Sequence, residues 1–347
     1  MPLLRVQPDD DQAVAATVEI LESARRVDDP ESPPPIAALQ QRWLRYGWDL
    51  RPDEWYLYRP TEDAEPVGVL AIDLPTRDNL HLVWADITVR PERRREGHGT
   101  AMMQEVLQQA AAAGRTTVWL GGATDDPGVA GFLSRFGFRY ASHDARRKQW
   151  LAEIDADAVA ALRREAEAAA VDYEIVRLLP PQPEELMAEI AEVAESINDA
   201  PMGDLTYERE VFGLDLMRDL ETARLGRGDQ LYRVVARHRE TGRLGGHTVV
   251  MANPLRPGRG VQCDTAVSRD HRGHRLGLLL KIEMLAWLAE VEPQLEHIET
   301  YNQVDNGYMV SVNEALGYRL DRIFDTYELT LDQEPAEATA AATLVDA

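Results

Sequence analysis

The segment Asp86-Ile87-Thr88-Val89-Arg90-Pro91-Glu92-Arg93-Arg94-Arg95-Glu96-Gly97-His98-Gly99 recurs further along the chain as Asp264-Thr265-Ala266-Val267-Ser268-Arg269-Asp270-His271-Arg272-Gly273-His274-Arg275-Leu276-Gly277. The offset is 178 residues (264 minus 86), and it is the same for Val89 and Val267, Arg94 and Arg272, and Gly99 and Gly277. Each copy runs from a β-branched strand through an Arg/Gly loop into an apolar helix. Such a loop aims backbone N–H groups at an anion, and the helix dipole adds to the field. Two copies of one ligand-binding domain are therefore expected, for a ligand that carries phosphates.

A length of 347 residues, 44% of them hydrophobic and 28% charged, suits about two globular domains. The net charge of −23 excludes a general nucleic-acid binder, which needs a basic surface. An acidic surface attracts cationic small molecules or basic peptides, or serves solubility alone. The single cysteine, Cys263, rules out a disulfide framework within the chain and fits a reducing cytoplasm. There is no apolar run of about 18 residues, so no membrane span is expected. Met1-Pro2-Leu3-Leu4-Arg5 leads into acidic residues and does not read as a signal peptide.

Around the repeat, the pattern resolves into two similar halves. Residues 13–26 and 36–47 read as helices and 53–59 and 67–73 as strands, before a long strand ending near Val89. The helix after Gly99 repeats Met102, Met103, Val106, Leu107 and Ala110 at three- to four-residue spacing, which marks a buried face. Residues 116–120 read as a short buried strand, and a last helix precedes Phe136-Gly137-Phe138. The second half repeats the order. It has a strand at 173–178, a helix at 183–197, the loop 198–204, strands at 231–237 and 246–251, and the strand ending at Val267. An apolar helix with Leu278, Ile282, Leu285 and Leu288 follows, then a strand at 297–300 and a final helix closed by Leu316-Gly317-Tyr318. The expected division is a domain at 1–153, a helical linker at 154–171, a domain at 172–332 and a disordered tail at 333–347.

With strands, Arg-x-x-Gly-x-Gly, helix, strand, helix and Gly-Phe/Tyr in this order, each half resembles the GNAT superfamily of acyl-CoA-dependent N-acetyltransferases. The whole chain resembles a tandem GNAT protein. The resemblance implies an α/β (α+β) fold of two tandem domains, each a central mixed, mostly antiparallel sheet flanked by helices. It also implies acetyl-CoA as co-substrate, with the pyrophosphate on the loop and the pantetheine arm along a splayed strand before it. In the first half that site would comprise Thr88, Val89, Arg94, Arg95, Glu96, Gly97, His98, Gly99 and Thr100. In the second it would comprise Ala266, Val267, Arg272, Gly273, His274, Arg275, Leu276 and Gly277. The physics agrees: successive N–H groups from Arg95 to Thr100 can converge on a diphosphate, and Gly97 and Gly99 permit close approach.

The halves depart from the family pattern in different ways. The family often carries an Asn for the pantetheine arm, seven residues before a Tyr that protonates the leaving thiolate. The first half has Asp126 and Leu133 there, and leucine donates no proton. The second keeps Asn306, with Asn302 just before it, but has Asn313 at the Tyr position and Arg275 at the first motif glycine. Tyr301 and Tyr308 are nearby substitutes for the acid, or else packed aromatics.

Attack of an amine on a thioester needs a base, since an alkylamine is protonated at neutral pH. It also needs an oxyanion donor, expected to be a backbone N–H near Val89 or Val267. The base candidates are Asp199, Asp264 and Glu299. Asp199 lies in a loop that either lines the acceptor site or forms a helix C-cap turn. Asp264, like its counterpart Asp86, either acts in catalysis or fixes a strand bulge by a hydrogen bond. Glu299 on an inner strand either has its pKa raised by burial or is partnered. His271-x-x-His274 has no companion Cys/His cluster, so no metal is expected, and Cys263 lacks an adjacent His base. The expected activity is transfer of an acetyl group from acetyl-CoA to the primary amine of a small molecule or peptide. The agent would be a cytoplasmic monomer or homodimer whose second half is catalytic. The alternative is a non-catalytic acyl-CoA-binding scaffold.

Overall fold

A computed structural model of the chain describes residues 3–331, so the tail 333–347 lies outside the described residues. In the first half the elements are β1 (Leu3–Arg5), α1 (Asp11–Asp28), α2 (Ala37–Tyr46), β2 (Glu54–Tyr58), β3 (Gly68–Asp73), β4 (Leu82–Val89), α3 (His98–Ala112), β5 (Thr117–Ala123), α4 (Pro127–Ser134) and β6 (Arg139–Trp150). A connecting helix, α5 (Ala156–Ala169), follows. The second half contains β7 (Tyr173–Leu178), α6 (Glu184–Ala194), α7 (Leu214–Gly226), β8 (Gln230–His238), β9 (Leu244–Asn253), β10 (Arg256–Val267), α8 (Leu276–Val291), β11 (His297–Gln303), α9 (Gly307–Ala315) and β12 (Arg319–Thr330).

The element bounds keep the repeat. β4 and β10 end at Val89 and Val267, and α3 and α8 begin at His98 and Leu276. The bounds of β5 and β6, and the start of α4, recur 180 residues later (297 minus 117) in β11, β12 and α9.

The strands form one sheet in the order β1-β2-β3-β4-β5-β12-β6-β11-β10-β9-β8-β7. Its order is palindromic once β6 and β12 are taken as equivalents, so a pseudo-two-fold passes between them. Each half lends its last strand to the other. β12 lies against β5, with Phe324 opposite Ala123 and Thr330 opposite Thr117. β6 lies against β11, with Trp150 opposite His297 and Asp144 opposite Gln303. Each half is mostly antiparallel and flanked by helices, as expected from the sequence, but the two share one sheet.

Charge explains why β6 prefers this place. Its run Arg146-Arg147-Lys148 is buried, and buried cations need partners. Arg146 pairs with Asp321 on β12 and with Asp29 just after α1 at 3.0 Å. Lys148 meets Asp321 at 3.1 Å and Glu299 on β11 at 3.9 Å. Two of these three acids come from the other half.

The helices seat the sheet. Met102, Met103, Val106 and Ala110 on α3 are fully buried, as their spacing predicts. α8 is buried almost all round, including Leu276, Leu279, Leu280, Ile282 and Leu288. One side faces the sheet, and α5 covers the other, with Arg163 donating to Glu283 at 2.9 Å. Each fully buried Leu or Ile contributes about 1.5–3 kcal/mol. Both helices are thereby fixed with their N-termini at the Arg/Gly loops.

Candidate functional site

In each half the sheet splits beside the loop. β4 and β5 run parallel only from Leu82 opposite Thr117 to Trp84 opposite Trp119. β10 and β11 pair only from Arg259 opposite His297 to Val261 opposite Glu299. Beyond these points the strands diverge, which leaves a strand edge for a ligand with amide groups. The second split has an additional feature. Gln262 faces Val250 and Thr265 faces Thr248, so β10 holds one extra residue and bulges. β3 and β4 pair without interruption through Asp86. The bulge is held by Gln262, whose Nε2 donates to Val249 O at 2.7 Å and to Thr248 Oγ1 at 3.0 Å. Of the two roles open to Asp264 in the sequence, catalysis or fixing the bulge, the second is thus filled by Gln262.

The two loops share one backbone path. Arg95 and Gly97 have φ of 70° and 92°, and Gly273 and Arg275 have 88° and 54°. Glycine and arginine thus exchange places at two left-handed positions. Left-handed backbone costs a non-glycine residue about 1–3 kcal/mol, a strain typical of ligand sites. The alternation curls N–H groups toward the helix end, a nest suited to phosphate. A Cβ at Gly97 would meet nothing within 4 Å, so the loop stands open there.

A cleft of about 460 Å³ lies against the first loop, and Thr88, Val89, Arg94, Arg95, Gly97, Gly99 and Thr100 line it. Glu96 and His98, expected in this site, are not among its walls. Glu96 pairs with Arg93 at 2.9 Å, and His98 is buried beside the Tyr58 ring at 5.7 Å. A second cleft of about 430 Å³ is lined by Ala266, Val267, Arg272, Gly273, Arg275, Leu276 and Gly277, with Asn306 and Tyr308. His274 turns away from it: its Nδ1 meets Ala169 O at 3.2 Å, and its ring packs on Tyr173.

The motif arginines act as clamps. Arg94 Nε donates to Val89 O at 3.2 Å while its fork grips Asp28 at 2.8 and 2.5 Å. Arg272 Nε donates to Val267 O at 3.2 Å and its Nη2 to Asp199 at 2.7 Å. Each ties the loop to the end of its strand with its charge already answered. Arg95, which has no ion pair among the described residues, and Arg135 bring cations to the first cleft.

Two base candidates are corrected by their surroundings. Asp199 lines the loop cleft, not an acceptor site, because the turn after α6 sets it beside Arg272. Its hydrogen bond to Arg272, with Arg269 and Arg209 nearby, holds its carboxyl below the usual range. Glu299 is 1% exposed. Burial alone would raise its pKa, but bonds from His297 and Arg259 and the charge of Lys148 bring it down to about 2. It is a partnered core carboxylate.

Asp264 is differently placed. It lines an inner cleft of about 340 Å³ together with the bulge residues Gln262 and Cys263, Lys281, and Thr300 to Gln303. Asn302 belongs here, oriented by Asn313 Nδ2 at 2.8 Å. Ala200, Pro201 and Met202 form part of the wall, so the loop after α6 does face this space. Trp84, Trp119 and Asp144 of the first half complete it. The inner cleft meets the second loop cleft at Ile197, Thr265, Asn306 and Met309, which line both. Asn306 also caps α9, accepting from Met309 N at 3.3 Å. Tyr308 is 63% exposed and lines the loop cleft, so it is no packed aromatic. Burial pushes the Cys263 thiol up to about 11, which leaves it protonated.

At the first split, a loop of the second half covers the apex. Tyr207 stacks on Trp119 with ring centres 5.8 Å apart. Glu208 N donates to Asn79 Oδ1 at 2.7 Å, Asn79 Nδ2 donates to Glu208 O at 3.2 Å, and Thr206 O meets His81 Nε2 at 3.0 Å. On β4, desolvation by the surrounding protein and the nearby charge of Asp53 push the Asp86 carboxyl up to about 6.

Lys281 was missed by the sequence reading, although it stands as the one cation in the run Leu276–Val291. Among the described residues no group of three or more His, Cys, Asp or Glu is arranged to hold a metal ion. Likewise no described helix is long and apolar enough to cross a membrane.

These features define an α/β protein with a split sheet and an anion-binding nest at a helix end in each half, and an inner cleft beside the second split. Residues 15–138 match the model of the acetyltransferase (GNAT) family. Across 96% of this chain and 99% of the other, the fold is similar to a tandem GNAT protein from the clavulanic acid biosynthesis pathway, with 26% identity and a TM-score of 0.78. A GCN5-related N-acetyltransferase from Sphaerobacter thermophilus shares the fold at 16% identity, TM-score 0.64, over 94% and 95% of the two chains. A glucosamine N-acetyltransferase region of a fungal multi-domain β-N-acetylglucosaminidase aligns at 14% identity, TM-score 0.67, over 94% of this chain and 38% of that one. No curated protein matches in sequence. A GNAT-family match in the first half and a similar fold along nearly the whole chain thus liken this protein to a tandem GNAT protein.

Proposed function

We propose that the second half transfers an acetyl group from acetyl-CoA to a primary amine of a small molecule or peptide, and that the first half binds acyl-CoA without turnover. The observation that carries this reading is the opening of the second loop cleft into the inner cleft at Thr265 and Asn306, with Asp264 on the wall beyond. A thioester lying along β10 would reach the bulge from one side and an amine from the other. The amine nitrogen attacks the carbonyl carbon, and its proton passes to Asp264, directly or through water. A backbone N–H near Val267 steadies the oxyanion. The C–S bond then breaks, and the thiolate takes a proton from Tyr308 or water. Tyr308 is the candidate acid because its hydroxyl lies 3.9 Å from a Cβ built on Gly277, at the helix end.

The stacking of Tyr207 on Trp119 at the first apex supports a binding role for the first half. Leu133, a core residue at 2% exposure, adds no acid there. The fused pseudo-two-fold supports a monomer, and the lone thiol of Cys263 is compatible with the cytoplasm.

The test is calorimetry with acetyl-CoA, alongside thiol release with a panel of amines. Gly97→Glu is expected to remove one binding site and leave turnover, and Gly277→Glu to remove the other site and abolish turnover. Turnover lost only with Gly97→Glu would reverse the assignment of the halves. An absence of binding would end the acyltransferase reading.

A further inference from the structure

Lys281 is 2% exposed and lines the inner cleft. Its Nζ has two partners, Gln262 Oε1 at 3.2 Å and the face of the Tyr318 ring at 4.8 Å. Neither carries a full charge, and among the described residues no carboxylate lies within 4 Å. Lys148, also buried, has two carboxylates. A buried ammonium without a counter-ion is expensive, and an apolar residue at this point of α8 would cost nothing in packing. Burial also holds the Lys281 pKa down to about 7, which is the mark of a charge not yet answered.

Around the cleft, Lys281 is the only cation among the lining residues, and Asp144 and Asp264 are the only carboxylates. The wall therefore offers one positive and two negative groups. Gln262 lies between the two residues Lys281 and Asp264: its Oε1 accepts from Lys281 Nζ, and its Nε2 lies 3.4 Å from the backbone carbonyl of Asp264. Lys281 and Asp264 line one cleft of about 340 Å³, so a molecule bridging them is small.

We propose that the acceptor is a small amino-carboxylate, held with its carboxylate on the Lys281 ammonium and its amine toward Asp264. This rests on the acyl-transfer reading for the direction of the amine but not for the anchor itself. Lys281 is a positioning residue: it touches the acceptor away from the reacting nitrogen.

The experiment compares glycine, β-alanine and 4-aminobutyrate with their carboxamides. Each is titrated by calorimetry into the full chain saturated with CoA, and each is assayed for thiol release with acetyl-CoA. At least one acid is expected to bind tenfold or more tightly than its amide. Lys281→Met should abolish that difference, raising KM for the acid far more than it lowers kcat. Thermal melting reports whether the variant folds, and Met suits this apolar helix. Amides binding as well as acids, no binding by any acid, or unchanged binding in Lys281→Met would each overturn the anchor. So would a fall in kcat equal for acids and amides with binding retained, which marks a base. Amides acetylated as well as acids would leave acyl transfer standing and remove the anchor. Acids bound through Lys281 with no thiol released would leave the anchor standing and remove acyl transfer.

Discussion

Tyr207 of the second half lies stacked on Trp119 of the first, ring centres 5.8 Å apart and planes 26° from parallel. One half thus supplies a cover for the other's split, and this contact separates two otherwise repeated sites. Tyr207→Ala is expected to cost about 2 kcal/mol, as a half-buried aromatic lost from a stack. Urea melts followed by tryptophan fluorescence would measure it. Acetyl-CoA binding at the first loop should persist, since Tyr207 does not line that cleft.

Asp264→Asn should lower kcat/KM roughly 100-fold or more while acetyl-CoA affinity stays constant. Asp199→Asn should instead weaken acetyl-CoA binding, by loosening Arg272. Steady-state kinetics on both variants would check the pair. Equal loss of catalysis in each would move the base away from the bulge.

Glu299→Gln leaves Arg259, Lys148 and His297 facing a neutral amide, and is expected to cost about 3–5 kcal/mol. The pH dependence follows from the same contacts. The folded carboxyl sits near 2 against an ordinary 4.5, so its contribution is complete above 4.5. It is lost as pH falls from 4.5 through 2. Acid unfolding of the Gln variant should be flatter across that interval than that of the parent.

Arg95→Gly copies Gly273 of the other loop onto a backbone with φ of 70°. Relief of the left-handed strain should stabilise the fold by up to about 1 kcal/mol. Losing the unpaired cation should weaken acetyl-CoA binding at the first cleft several-fold. Melting and calorimetry on the same sample would detect the opposed signs.

Local signals carried the reading as far as local physics reaches. The strand, loop and helix around Arg94 and Arg272 announce themselves through β-branched residues, glycines and apolar periodicity, and their bounds fall as expected. The partners of Asp199 and Glu299 were hidden, because Arg272 and Arg259 approach them through space. α7 was missed for its weak apolar face, and the exchange of β6 and β12 because pairing is not written in either strand alone. Arg146-Arg147-Lys148 was its one trace: three adjacent cations on a strand of an acidic chain call for acids elsewhere.

The crossed strands at the centre of the sheet make the two halves incomplete without each other. A gene cut in the stretch encoding α5 would not give two working modules. It would give two fragments, each with a bare edge at β5 or β11 and a displaced last strand seeking a partner. Each would pair with the other, with a second copy of itself, or with an aggregate. Duplication here has become dependence, so neither half can be discarded without undoing the other.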